Sequence, residues 1–161
     1  MRMRSRQMSD YPRAMTDIRT ATPSDIPALC ALMGQYYAHD QLEFDRARAT
    51  NALHALLRDA RGAAWLLSTG GADSGYAVIV WSYSLEYGGL GAVLDELYLA
   101  PEARGSGLGR SFVQHITEAA REAAAVVLRL ETERDNDHAR AFYARLGFET
   151  LDRVLLKMDL D

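Results

Sequence analysis

Leu97-Tyr98-Leu99-Ala100-Pro101-Glu102-Ala103-Arg104-Gly105-Ser106-Gly107-Leu108-Gly109-Arg110 runs from strand through turn and glycine loop into a helix. Glycines at alternate positions let the backbone turn sharply and bring main-chain N–H groups close to a ligand. The helix start behind them adds N–H donors without intrahelical acceptors and the positive end of a dipole. Together these suit a phosphate or pyrophosphate. Arg104 and Arg110 flank the loop and could add charge. The spacing is G-x-G-x-G, which is neither the G-x-G-x-x-G of dinucleotide folds nor a P-loop, since no Gly-Lys-Ser/Thr comes after it. Taken alone, the loop also fits a plain strand-to-helix turn.

Downstream, Phe112, Val113, Ile116, Ala119, Ala120 and Ala123 mark the inward face of the helix, and Ala125 to Leu130 reads as a buried strand. With the strand over residues 90–99 this makes one β-α-β unit, whose strands should run parallel with a right-handed crossover. Asp137 to Leu146 reads as a short helix ended by Gly147, and Phe148 to Leu160 as two last short strands. Upstream, residues 63–68, 75–85 and 90–99 are apolar or β-branched runs joined by glycine turns, an antiparallel meander. Residues 16–21 alternate as a first strand. Thr22-Pro23-Ser24-Asp25 then starts a helix with a hydroxyl cap and an early proline. Its apolar face carries Ile26, Leu29, Leu32, Met33 and Tyr36. A loop at His39–Phe44 leads to a second helix over about residues 45–58, with Leu53, Leu56 and Leu57 inward. The sum is an α/β fold, a mixed sheet with helices on both faces. No repeat or low-complexity segment interrupts it.

The chain has 161 residues, of which 48% are hydrophobic and 25% charged. That length suits one domain, here residues 16–161, with residues 1–15 expected to be a mobile tail. The net charge of −4 argues against a nucleic-acid binder. Cys30 is the single cysteine, so no disulfide can form within the chain, which fits a reducing cytoplasm. Its apolar neighbours make it a core residue. No apolar run approaches the roughly 18 residues needed to span a membrane, and no apolar segment comes after the basic Met1–Arg6, so a secretory leader is not expected. His39, His54, His115 and His138 show no metal-ligand spacing, and no metal site is expected.

Arg104-Gly105-Ser106-Gly107-Leu108-Gly109 matches the R/Q-x-x-G-x-G/A signature of the GNAT superfamily of N-acetyltransferases. Asp95-Glu96-Leu97-Tyr98-Leu99-Ala100-Pro101 resembles that family's fourth strand, and Asn136-Asp137-His138-Ala139-Arg140-Ala141-Phe142-Tyr143-Ala144-Arg145-Leu146-Gly147-Phe148 its second conserved block. The order of elements agrees over residues 16–160. The resemblance implies a GNAT-like acyl-CoA N-acyltransferase fold with a central mixed sheet of about seven strands. It implies that the strands over 90–99 and 125–131 splay apart to admit the pantetheine arm of acetyl-CoA, the cosubstrate. The backbone of Leu97, Tyr98 and Leu99 would meet that arm. Arg104, Gly105, Ser106, Gly107, Leu108, Gly109 and Arg110 would hold the pyrophosphate. Asn136 would bond the pantetheine with Ala139 nearby, and Tyr143 would sit near the sulfur.

Acetyl transfer from a thioester needs a neutral amine, a stabilised oxyanion and a protonated leaving group. A lysine-type amine has a pKa near 10.4, so a carboxylate must take its proton, directly or through water. Asp95 and Glu96 both flank the cofactor slot and would face opposite sides of a regular strand. The family's usual acid aligns best with Asp95, but an expected bulge shifts facing, so both stay candidates. Tyr143 is the candidate acid, since a phenol can protonate the thiolate. Its position alone suits packing beside Phe142 and Leu146, and the resemblance is what favours the acid. A strand N–H, Leu97 foremost, would hold the oxyanion. Cys30 lies outside both blocks, which favours direct transfer over an acyl-enzyme.

The acceptor would meet the first two helices, their loop and the hairpin before the fourth strand. Tyr37, Glu43, Tyr83 and Glu86 are the candidate contacts, able to hold a cationic amine by charge and cation–π attraction. The same residues fit a solvated polar rim. The leading reading is N-acetylation of a small primary amine. Acetylation of a protein or peptide, and a non-catalytic acyl-CoA-binding module, are the alternatives. No nucleic-acid or membrane partner is expected. A homodimer, common in folds of this kind, stays open.

Overall fold

The computed structural model of the chain describes residues 15–160, so the expected tail lies outside them except for Met15. The chain divides into two compact units, Met1–Arg129 and Leu130–Asp161.

The first unit is built on a sheet of β1 (Thr16–Thr20), β2 (Gly62–Thr69), β3 (Ala72–Ser84) and β4 (Gly89–Leu99), joined at its edge by β5 (Val127–Leu130). The first four form antiparallel pairs in sequence order, and the glycine turns predict the part of this made by β2, β3 and β4. Gly70 and Gly71 both take positive φ at the β2–β3 turn. The connection from β4 to β5 contains α3 (Leu108–Glu122), the crossover helix expected from the sequence. Five strands form the mixed sheet rather than about seven.

α1 (Ile26–His39) begins after a single 3-10 turn at Pro23–Asp25, and α2 (Arg46–Arg58) is capped by Asp45, whose side chain accepts the Arg48 N–H. Leu29, Cys30, Leu32 and Met33 of α1 and Leu53 of α2 bury against Ala64, Leu66, Tyr76, Val78 and Tyr98 of the sheet and Ala100 just beyond it. Cys30 is thus a core residue, as its neighbours suggested. Residues that alternate with these, Trp65, Leu67, Ala77, Ile79 and Leu94, are buried on the opposite face, where the Trp65 ring meets His115 of α3 edge-on at 6.5 Å. Helices therefore cover both faces of the sheet. Full burial of side chains such as Leu29, Leu66, Ile79, Phe112 and Ile116 contributes roughly 1.5–3 kcal/mol each.

The second unit contains α4 (Asp137–Ala144). Its end is a Schellman arrangement: the Phe148 N–H reaches Tyr143 O at 3.1 Å and the Gly147 N–H reaches Ala144 O at 3.0 Å, with Gly147 at φ +94°. The accompanying apolar contact is made by the Phe148 and Tyr143 rings, 5.5 Å apart. The two strands expected over 148–160 are not formed. Leu151, Val154, Leu155, Leu156, Met158 and Leu160 are exposed there. An apolar run gives a segment strand character, but a strand exists only where a neighbouring backbone completes its ladder.

Among the described residues no helix is long and apolar enough to cross a membrane, and no group of three or more His, Cys, Asp or Glu could hold a metal ion.

Candidate active site

The site grows from an irregularity in β4. Val78 pairs with Glu96 and the next residue, Ile79, pairs with Leu94, so Asp95 is an extra residue in the ladder. A bulge of this kind leaves one residue unpaired and shifts the facing of the residues beyond it. Without it, Glu96 would share the face of Leu94, toward α3. With it, Glu96 joins Val78 and Tyr98 on the face covered by α1, while Asp95 lies exposed.

Two phenols meet the redirected carboxylate. Tyr37 of α1 donates to Glu96 Oε1 at 2.8 Å, and Tyr76 of β3 donates to Oε2 at 2.8 Å. Burial pushes the Glu96 carboxyl above its ordinary range, opposed by these two hydrogen bonds and reinforced by the neighbouring Asp95 charge. Burial and the Glu96 carboxylate in turn push the Tyr37 and Tyr76 phenols upward, so both stay protonated donors. Aromatic rings pack around the group: Tyr37 against Tyr36 at 5.5 Å and Phe44 at 5.3 Å, and Tyr98 against Tyr76 at 6.2 Å.

The backbone beyond Glu96 is oriented by the ladder. The Ala100 N–H reaches Ser74 O at 2.8 Å, which makes Leu99–Gly75 a non-hydrogen-bonded pair; by alternation Leu97–Ala77 is another. In such pairs both residues turn their N–H and C=O away from each other. Leu97 and Leu99 thus direct their backbone groups to the side of β4 away from β3. β5, only four residues long against the eleven of β4, is too short to accompany β4 to its end.

At that end lies the glycine loop. Gly105 and Gly107 hold φ of +78° and +84°, and Gly107 is the N-cap residue of α3 in the left-handed region. The Leu108, Gly109 and Arg110 N–H groups open the helix and have no intrahelical acceptors. The loop therefore combines close backbone approach with a bundle of main-chain donors, an anion cradle. Arg104 is turned back from it. Its Nε donates to Leu99 O at 2.8 Å and its guanidinium lies 5.6 Å from the Tyr98 ring centre. Arg110 is exposed in the first turn of α3.

In the second unit, Asn136 caps α4, its Oδ1 accepting the Ala139 N–H at 3.0 Å. Tyr143 is half-buried between the Phe142 and Phe148 rings, at 5.1 and 5.5 Å.

Of the expected acceptor contacts, Tyr37 is brought to Glu96. Glu43 is exposed in the loop between α1 and α2. Tyr83 and Glu86 lie at the hairpin joining β3 to β4, and Tyr83 pairs with Leu90. Six residues of β4 separate that pair from Glu96, about 20 Å of strand. Sequence reasoning did not single out Tyr76. It is a diagonal cross-strand neighbour of Glu96, a relation visible only once the β3–β4 register is known.

A mixed sheet with a half-buried carboxylate near the end of one strand, followed by a glycine loop and a helix N-terminus, has the parts to hold an anionic ligand beside a proton acceptor. The chain belongs to the acetyltransferase (GNAT) family, whose model matches residues 26–148. It is therefore an acetyltransferase, with acyl-CoA as cosubstrate. The uncharacterized N-acetyltransferase YhfO of Bacillus subtilis (strain 168) is 27% identical over 133 residues, 83% of this chain and 89% of its own. The thialysine N-epsilon-acetyltransferase of Bos taurus is 32% identical over 77 residues, 48% of this chain and 45% of its own. The solved structure of an integron cassette protein from the mobile metagenome of Cole Harbour Salt Marsh has a TM-score of 0.80 at 33% identity, covering 89% of this chain and 90% of that one.

Proposed function

We propose that the chain transfers an acetyl group from acetyl-CoA directly to the primary amine of a small molecule, with Glu96 as general base. The observation that carries this reading is the Glu96 carboxylate itself. It is held by two phenols at 2.8 Å, and burial raises its pKa above the ordinary carboxylate range, as suits a base that must accept a proton and release it again. Asp95, exposed at the bulge, lacks that environment. In sequence terms the weight thus moves from Asp95 to Glu96.

Glu96 takes a proton from the acceptor ammonium, directly or through one water. The neutral nitrogen attacks the thioester carbonyl, and the Leu97 N–H, turned away from β3, stabilises the oxygen as charge builds. Gly105 to Arg110 hold the pyrophosphate through main-chain donors. The Leu97 and Leu99 backbone lines the pantetheine, with Tyr98 beneath. Asn136 and Ala139 take part in binding the same arm, and the departing thiolate receives its proton from Tyr143. These last roles rest on the family resemblance. No metal takes part.

A small acceptor is supported by the name of the Bos taurus relative, and a cationic one by Tyr37 and Glu43, whereas Tyr83 and Glu86, at the far hairpin, would meet only a longer acceptor. The net charge of −4 favours such a partner over nucleic acid. A cytoplasmic setting and a homodimer complete the reading. The test is a thiol-release assay over a panel of amines with wild-type protein and Glu96→Gln. The variant should bind CoA normally and lose about 10²–10⁴-fold in kcat. Unimpaired turnover would return the base to Asp95 or water.

A further inference from the structure

The sheet face that carries Glu96 also carries a guanidinium without a counter-charge among the described residues. Ser82 pairs with Gly91. A Cβ placed on Gly91 would lie 3.0 Å from Ser82 Oγ and 3.3 Å from Val127 Cγ1, so Ser82, Gly91 and Val127 share a face. Arg129, two residues beyond Val127 in β5, points the same way. Its Nη2 donates to Ser82 Oγ at 3.5 Å, and its Cζ lies 5.9 Å from the Tyr87 ring centre. Val78, Val80 and Ser82 alternate along β3 on one face, and Val78 belongs to the core beneath α1 and pairs with Glu96. Arg129 and Glu96 therefore look out from the same side of the sheet. The bare Gly91 gives the guanidinium room to cross β4.

Arg129 is under-satisfied. Its Nε is buried with no acceptor, alone in this among the buried side-chain nitrogens and oxygens of the described residues. Its one hydrogen bond, to Ser82, is at the long limit. No carboxylate among the described residues pairs with it. Nη1 likewise has no hydrogen-bond partner among them. A buried charged donor left unmade is costly, and the group that matches a guanidinium edge is a carboxylate.

We propose that Arg129 is the acceptor-recognising residue of this enzyme and that the acceptor is an amine which also carries a carboxylate. This rests on the reading of Glu96 as base on the same face. The guanidinium takes the carboxylate with the Tyr87 ring beside it, and the amine extends toward Glu96. Gly91 and Glu96 are five residues apart, about 16 Å of strand, part of which the two side chains span. The acceptor therefore holds its reactive amine several bonds from its carboxylate, as a diamino acid does.

The test compares twins that differ by one carboxylate, L-lysine with cadaverine and L-ornithine with putrescine, by calorimetry on the CoA-loaded protein. The diamino acid should bind at least about tenfold more tightly than its diamine, the worth of one charge-assisted hydrogen-bond pair. Arg129→Met should remove that difference, whereas Arg129→Lys should keep part of it. Equal affinity of both twin pairs for the wild type overturns the proposal whatever the variants do. So does a preference surviving in Arg129→Met, or no binding of either diamino acid. Binding and turnover separate the two readings. A carboxylate preference without loss of transfer in Glu96→Gln would remove only the base. Transfer that depends on Glu96 without such a preference would remove only Arg129.

Discussion

The Tyr37 hydroxyl and the Glu96 carboxylate stand 59 residues apart in sequence and 2.8 Å apart in space. One belongs to a helix and the other to a strand, so their meeting ties the packing of α1 on the sheet to the protonation of a single side chain. Tyr76 completes the clamp from β3.

With Glu96 as the proposed base, the clamp should set the acidic limb of the pH profile. Both phenol bonds favour the ionised carboxylate, against the burial that raises it. Removing either one in Tyr37→Phe or Tyr76→Phe raises the Glu96 pKa further. A base must be ionised to act, so the acidic limb of kcat/KM moves to higher pH. On the acidic limb each variant should lose about fivefold, the worth of one hydrogen bond, and recover toward the wild-type rate as pH rises above it. A profile unmoved in both variants would detach Glu96 from the proton transfer.

The glycine loop makes its own prediction. Gly107 holds φ +84°, with open space around the position a Cβ would take. In Gly107→Ala the cost is therefore conformational rather than steric crowding, about 1–2 kcal/mol for a left-handed residue. The loop must strain or turn away. Affinity for CoA, measured by calorimetry, should fall about tenfold. Full affinity would show that the loop does not grip the diphosphate.

Tyr143→Phe separates packing from chemistry. The substituted ring keeps the contacts with Phe142 and Phe148 and the backbone bonds that end α4, so thermal stability should change little. CoA affinity should persist while acetyl transfer slows by about 10²-fold, the range of a lost general acid. Thiol release at the wild-type rate would take Tyr143 out of the mechanism.

At the other end of the first unit, Asp25 joins β1 to the start of α1. Its carboxylate receives both Arg19 terminal nitrogens, at 2.8 and 2.9 Å, and the Thr22 N–H at 2.8 Å. The Arg19 bond first, then the Thr22 amide, holds its pKa well below the usual carboxylate range. A lowered folded-state pKa means stabilisation that is fully present above the unfolded value near 3.9 and lost as pH falls through the folded one. Asp25→Ala should cost about 1 kcal/mol at neutral pH. In urea titrations the gap from wild type should be flat from about pH 6 to 8 and close only in strong acid.

Much of this architecture was legible in the chain. Thr22-Pro23-Ser24-Asp25, the glycine turns and the apolar spacing in α1 and α3 are local signals, and local signals placed those elements. Gly147 likewise announced the end of α4. What escaped was relational. Asp95 and Glu96 were both candidates because strand alternation assigns faces only when the register is known. Tyr76 carries no mark of its role, since its partner lies on another strand. Tyr83 and Glu86 belong to the hairpin named in advance, but strand length sets them far from Glu96. Residues 148–160 have the apolar content of strands, yet apolar content cannot supply the neighbour that a ladder requires.

The extra residue at Asp95 acts like a frameshift in the sheet. Upstream of it inside and outside obey one parity, and downstream the other. Shortening β4 by that one position would leave every other amino acid in place and still turn Glu96 from its two tyrosines toward the opposite helix layer. The facing of Glu96 thus depends on a count as much as on a composition, and if Glu96 is the base, a one-residue deletion there should abolish activity more thoroughly than replacing Asp95 with any other side chain.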